Sequence, residues 1–87
     1  MDEAKTITYT SHAETALRER QLEKGWIEKT ARFPAWRQTD PGGGGVERRF
    51  RVIEERGGRV LRVVCMETAD EIRIISAFLD RRARRPI

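Results

Sequence analysis

Cysteine is nearly absent from this 87-residue chain: Cys65 stands alone, which excludes an internal disulfide and any multi-cysteine metal site. Histidine is as scarce, with His12 the only one. The carboxylates fall at no metal-ligand spacing, so no metal centre and no cofactor is expected. No run approaches the roughly 18 apolar residues of a membrane span, and Met1 to Thr10 contains no apolar h-region, so neither an anchor nor a signal peptide is expected. With a free, core-facing thiol, these absences point to the cytoplasm. Large aliphatics are sparse as well. Leu, Ile, Val and Phe number nineteen of 87, just above the level at which disorder becomes the default, and the patterned segments decide in favour of a fold. A chain of this size makes one domain, residues 1–87, and buries only about 60 to 70% of its unfolded surface.

Charge is what the chain has in quantity. Eighteen Lys and Arg against 14 Asp and Glu leave a net +4, which favours an acidic partner, nucleic acid or protein. The second half carries three strand-like runs, Val46 to Glu55, Val60 to Met66 and Ile72 to Phe78. Reading Gly57-Gly58 as a two-residue turn sets Glu55 opposite Val60, Ile53 opposite Arg62, Val52 opposite Val63 and Phe50 opposite Cys65. A second hairpin through Thr68 to Glu71 sets Arg73 beside Met66, Ile74 beside Cys65, Ser76 beside Val63 and Phe78 beside Leu61. Since strand side chains alternate faces, one face then holds Phe50, Val52, Leu61, Val63, Cys65, Ile74 and Phe78 as a core. The other combines Arg49, Arg51, Arg62 and Arg73 with Ile53, Val64, Met66 and Ile75. Four guanidinium groups over apolar patches suit a phosphate backbone with stacked bases. They also suit an acidic protein, and they are compatible with an ordinary solvated sheet face.

The first half reads as a short strand over Ile7 to Thr10 and two helices. Ser11 with Glu14 three residues on forms a capping box for the first helix, Gly25 interrupts or caps it, and Trp26 to Phe33 carries the second stripe until Pro34 stops it. Trp36 and Arg37 add a short edge strand. Residues 38–45, with Gly42 to Gly45, form a mobile loop, and as a phosphate loop it lacks the following lysine and hydroxyl. Residues 79–87 are a basic tail in which Arg81, Arg82, Arg84 and Arg85 crowd together, either solvated or gripping phosphates. The architecture expected is α+β, with N-terminal helices packed on one face of an antiparallel sheet.

His12 is the side chain that titrates nearest neutrality and the first candidate for acid/base work, although a packed or exposed histidine is the simpler assignment. Cleavage of RNA by its own 2′-hydroxyl needs only orientation, one proton-transfer group and cations to stabilise the phosphorane. Arginines on a rigid sheet suit the last task, and Glu47, Glu54 or His12 the proton transfer. A small metal-free ribonuclease is therefore physically reasonable.

The order strand, helix pair and basic meander resembles small RelE-like toxins. Ile72-Arg73-Ile74-Ile75-Ser76-Ala77 followed by Arg81, Arg82, Arg84 and Arg85 resembles the C-terminal signature of BrnT-type toxins. Ser11-His12-Ala13, Arg20 and a helix ending at Pro34 resemble a related uncharacterised bacterial family. The resemblance spans most of residues 8 to 85, although the acidic, tryptophan-containing N-terminal segment of BrnT toxins is missing and Phe78 stands where they carry an arginine. It implies an endoribonuclease-type toxin with His12, Arg73 and Ser76 as matched positions. RNA or ribosome-bound mRNA would be the target, held by Arg49, Arg51, Arg62 and the four tail arginines, and an acidic antitoxin the partner. The alternative is a non-catalytic interaction module that uses the same face for an acidic protein segment or a second copy of the chain. A toxin scaffold reduced to a structural remnant is a third reading.

Overall fold

In the computed structural model, residues 5–86 are described. Met1 to Ala4, on which part of the signal-peptide expectation rests, and Ile87, the end of the basic tail, lie outside the described residues. The elements are β1 (Thr6–Tyr9), α1 (Ser11–Glu19), α2 (Lys24–Arg32), β2 (Trp36–Thr39), β3 (Val46–Ile53), a 3-10 turn (Glu54–Arg56), β4 (Arg59–Glu67) and β5 (Glu71–Leu79). They form a five-stranded sheet in the order β1-β5-β4-β3-β2, with both helices on one face. The fold is α+β as expected. The sheet is mixed rather than wholly antiparallel, because β1 runs parallel to β5 while the other three pairings are antiparallel. Among the described residues no helix is long and apolar enough to cross a membrane.

The helices cover the sheet with small and branched side chains. Ala13 of α1, Leu22 between the helices, and Ile27 and Ala31 of α2 meet Ile53, Leu61, Val63, Cys65, Ile72, Ile74 and Ala77 in one buried cluster. Cys65 has no exposed surface, and burial pushes its thiol up to about 11, so it acts as a core side chain. The N-cap of α1 is Thr10 rather than Ser11: the Ala13 N–H donates to Thr10 Oγ1 at 3.1 Å. Thr10 also donates through its hydroxyl to the Ile75 carbonyl and through its backbone N–H to that of Ile74, so one residue starts the helix and ties it to β5. The helix ends with Gln21 in the left-handed region at φ 55° and the Leu22 N–H returning to the Leu17 carbonyl, a Schellman closure whose apolar residue after the turn is buried. Gly25 therefore neither ends nor caps α1; it sits in the first turn of α2.

The strand pairing corrects the expected faces. β3 and β4 are joined through Glu54 to Gly58, with the 3-10 turn closed by Gly57 in the left-handed conformation, not through a two-residue Gly-Gly turn. Ile53 consequently pairs with Arg59, Val52 with Val60, Arg51 with Leu61, Phe50 with Arg62 and Arg49 with Val63. This pairing is displaced by three residues from the expectation, and an odd displacement exchanges the two faces of a strand. Arg49, Arg51 and Ile53 thus lie on the helix-covered side. Phe50 and Val52 lie on the open side. On β5, Arg73 pairs with Met66 and Ile74 with Cys65 as expected, but an irregularity at Ile75 sets Ser76 beside Val64 and Phe78 beside Arg62. Phe78 therefore leaves the expected core for the open side.

Candidate nucleic-acid interface

On its helix-free side the sheet carries a row of flat groups that crosses four strands. The Trp36 and Phe50 rings stack with centroids 5.1 Å apart and 7° between their planes. The Arg62 guanidinium follows, 5.6 Å from the Phe50 centroid and 4.9 Å from that of Phe78, and Arg20 reaches Phe78 from beyond the sheet edge at 6.0 Å. Arg20 also donates to the Ala77 carbonyl, on the half of β5 that β1 does not pair. Planar cations and rings at these separations attract electrostatically. The row exists because the β3–β4 register places Phe50 opposite Arg62 and the β5 irregularity brings Phe78 to the other side of Arg62.

The C-terminal tail lies across this row. After β5 the chain turns at Asp80, whose carboxylate accepts from Arg62 Nη2 and from the Arg82 backbone N–H. Arg82, Ala83 and Arg84 then share a cavity wall with Trp36, Gln38 and Phe50. Phe50 is left only 2% exposed despite standing on the side without helices. Burial pushes the Asp80 carboxyl up, but the Arg82 N–H and the Arg62 guanidinium together outweigh it and hold it below the ordinary aspartate value. Asp80 thus fixes the root of the tail, while Arg81, Arg82, Arg84 and Arg85 remain exposed. The glycine loop is likewise tied at its base, since the Asp40 carboxylate accepts from the Gly42 N–H and from Arg48. Gln38 and Thr39 belong to β2 rather than to that loop.

The residues proposed from sequence separate into distinct environments. Arg49 is 3% exposed and internally satisfied, donating to Glu47 Oε1 at 2.9 Å, Glu67 Oε1 at 2.7 Å and the Ala31 carbonyl at 2.7 Å. It anchors the end of α2 to the sheet and is withdrawn from the binding set. Glu67, which accepts from Lys5 and from Arg49, is held below the ordinary glutamate value by those two hydrogen bonds. Arg51 also points to the helix side, where it donates to the Phe33 carbonyl after α2. Arg62 is on the open face, paired with Asp80. Arg73 and Ser76 share that face, Arg73 exposed and Ser76 half-buried. His12 is exposed in the first turn of α1, in the layer on the opposite side of the sheet. No hydrogen bond or ion pair among the described residues joins it to Arg73 or Ser76, so the three matched positions are not assembled into one constellation.

Trp36, Phe50, Phe78 and Asp80 were the members sequence reasoning missed. The signal for Asp80 was present, since an acidic residue between Leu79 and four arginines is the natural counter-charge for an arginine across the hairpin. No curated protein matches the chain, and no solved structure matches it. Residues 9–79 match a family described as a domain of unknown function, DUF4258. The match takes in the sheet from Tyr9 to Leu79 and both helices, and the chain therefore belongs to the DUF4258 family.

Proposed function

We propose that the protein binds RNA on its helix-free sheet face, as a cytoplasmic toxin-type protein of the RelE/BrnT kind. The observation that carries this reading is the Trp36–Phe50–Arg62–Phe78 row, flanked by Arg73 and the tail arginines, none of which has a carboxylate partner among the described residues. Stacking surfaces beside unpaired guanidinium groups are what a single strand needs: the half-buried Trp36 and Phe78 rings take bases, with Phe50 buried as their support, and the cations take the backbone. Within cleavage, Arg73 and Ser76 would supply a cation and a hydroxyl beside a bound phosphate. His12, on the other side of the sheet, has no part in that arrangement, so the geometry supports binding more directly than it supports catalysis.

The test is filter binding of single-stranded RNA across a salt series, with growth arrest and RNA integrity followed on expression in the same strain. Affinity should fall steeply with salt through counterion release. Arg73→Ala should reduce the logarithmic salt slope by about one phosphate contact while changing stability by less than about 0.5 kcal/mol. RNA affinity that ignores salt and is unaffected by Arg73→Ala removes the reading. Intact RNA and normal growth with salt-sensitive binding retained would remove only the cleavage step.

A second reading has its own support. Val52 is 41% exposed on the open face, with Val46, Val64 and Met66 half-buried on the same side. Apolar surface mixed with arginine is typical of protein interfaces, so an acidic antitoxin or a second copy of the chain is the competing occupant. A largely apolar association would barely respond to salt.

A further inference from the structure

The sheet ends at β2, which pairs with β3 and has no strand on its other side among the described residues. Which of its backbone groups are left over follows from one hydrogen bond. The Asp40 N–H donates to the Val46 carbonyl, and residues in an antiparallel ladder turn their N–H and C=O alternately toward and away from the neighbouring strand. In the observed register Trp36 and Gln38 therefore bond inward to β3, while Arg37 and Thr39 present both groups outward. Arg37, Gln38 and Thr39 are exposed, so neither helix covers them. Beside this edge stands Phe33, 66% exposed and the most exposed large apolar side chain among the described residues. A bare edge of this kind is a template for another strand.

The edge is complementary to itself. An antiparallel pair of β2 strands related by a two-fold axis at Gln38 sets Arg37 opposite the partner's Thr39, and Thr39 opposite the partner's Arg37. Every outward N–H and C=O of these residues then finds an acceptor or a donor. Charge agrees with this register. Arg37 donates to Glu47 at 3.3 Å, and Glu47 pairs with Thr39 in the sheet. Across the axis each Arg37 thus approaches the partner's Glu47, with the partner's Thr39 between them, and the two Arg37 side chains stay apart. An axis at Arg37 itself would oppose like charges and call on Ala35, whose N–H is already given to the Phe50 carbonyl. Shape agrees as well. The antiparallel arrangement brings the end of the partner's β2, running into the partner's Pro41 and glycines, to the end of the strand where Phe33 stands. A side chain at Gly43, Gly44 or Gly45 would meet nothing within 4 Å, and a backbone without side chains lets a ring come close. We infer that β2 is a self-association edge, through which a second copy of the chain joins its sheet to this one about an isologous two-fold axis. The surface used is the strand edge, not the open face. The inference goes beyond the RNA reading and does not rest on it.

Sedimentation equilibrium of the full chain measures the association, and amide hydrogen exchange read by NMR locates it. From micromolar to millimolar protein the average mass should rise from monomer toward dimer. Over the same range the Arg37 and Thr39 amides should slow, whereas that of Gln38, already bonded to β3, should change little. Thr39→Pro removes one outward N–H and nothing from the ladder with β3, an orientation in which edge strands tolerate proline. It should melt as the parent does and stay monomeric. Phe33→Ser alters an exposed side chain and should weaken association about tenfold or more. A parent that is monomeric at every concentration overturns the inference. So does a dimer whose Arg37 and Thr39 amides stay unprotected, or one that keeps its affinity in Thr39→Pro. If Thr39→Pro does not melt cooperatively, Phe33→Ser decides, and unchanged affinity there overturns the inference. RNA that protects these two amides in a monomeric protein also overturns it and leaves the RNA reading intact. Dimerisation through them in a protein with no affinity for RNA supports it and removes the RNA reading alone.

Discussion

Arginine carries three different tasks in this protein, and burial with partner geometry separates them. Arg49 uses its planar fork to join a helix carbonyl to two carboxylates, a geometry lysine cannot reproduce. Removing it strands the Ala31 carbonyl and leaves Glu67 with Lys5 alone and Glu47 with Arg37 alone. Since the two glutamate side chains keep about a third of their exposure, water offsets part of the loss. Arg49→Ala should therefore cost about 2–3 kcal/mol, below the usual figure for breaking a fully buried pair. A urea unfolding midpoint measures this, and a midpoint within error of the parent would show that the contacts contribute nothing net. Arg62 is the second kind, held between two rings and a carboxylate. Its partner Asp80 and the Arg49 partner Glu67 both titrate below their ordinary values in the folded state. Such groups stabilise above the unfolded-state values near 4, and that contribution is lost as pH falls through the lower folded values. The melting temperature should accordingly be level down to about pH 5 and fall below about pH 4, with a shallower fall in Asp80→Asn. Calorimetry over a pH series checks the sign; an acid limb as steep in that variant as in the parent would exclude the Arg62 pair as its cause. Arg73 and the tail arginines are the third kind, exposed and without internal partners.

Elements were legible where periodicity and punctuation agreed, and registers were not. Five strands and two helices could be read from alternation, the apolar stripe and Pro34, but which side chains share a face depended on turn geometry. Gly57-Gly58 invited a two-residue hairpin. Instead Glu54, Glu55 and Arg56, polar and unsuited to further sheet pairing, coil into a turn that Gly57 closes at φ 68°, and the odd displacement carried Arg49 and Arg51 to the helix side. Nothing local in Ile72-Arg73-Ile74-Ile75-Ser76 marks the extra residue. Another element meets it there, since Thr10 donates through its hydroxyl to the Ile75 carbonyl and through its backbone N–H to the Ile74 carbonyl while starting α1. Thr10→Ala should thus cost about 1–2 kcal/mol, at or above an ordinary N-cap loss. Ser11→Ala, one residue away and exposed, should stay within about 0.5 kcal/mol. Equal effects of the two substitutions in thermal unfolding would return the cap to Ser11. Arg73 and Ser76 were not legible as a pair, since plain alternation sets Ser76 beside Val63 on the core face and only the extra residue at Ile75 brings it to the side of Arg73; nor was His12 separable from them, because sequence spacing does not tell which side of a sheet a helix will cover.

At the scale of the whole molecule, the two sides of the sheet serve different ends: one stores the core, and the other presents rings and cations beneath a short strap. Deleting Arg81 to Ile87 spares every residue of the core cluster and the Asp80 side chain, so the truncated chain should still melt cooperatively. It loses four cations, and its RNA affinity at low salt should fall by an order of magnitude or more. Thermal melting and filter binding decide the two halves of that expectation independently. The strand order has a consequence in time as well as in space. β5, which occupies the position between β1 and β4, is synthesised after both, and among the described residues β1 has its only strand partner there, with Thr6 set against Glu71. A growing polypeptide can assemble the hairpins of β2, β3 and β4, but it cannot seat its first strand or tie down Thr10 until Glu71 to Leu79 have left the ribosome. A message cut short before that point yields a product without Arg73, Phe78 or the strap, and hence without the surface on which the proposed activity depends. Synthesis itself withholds that surface until β5 has followed the other four strands.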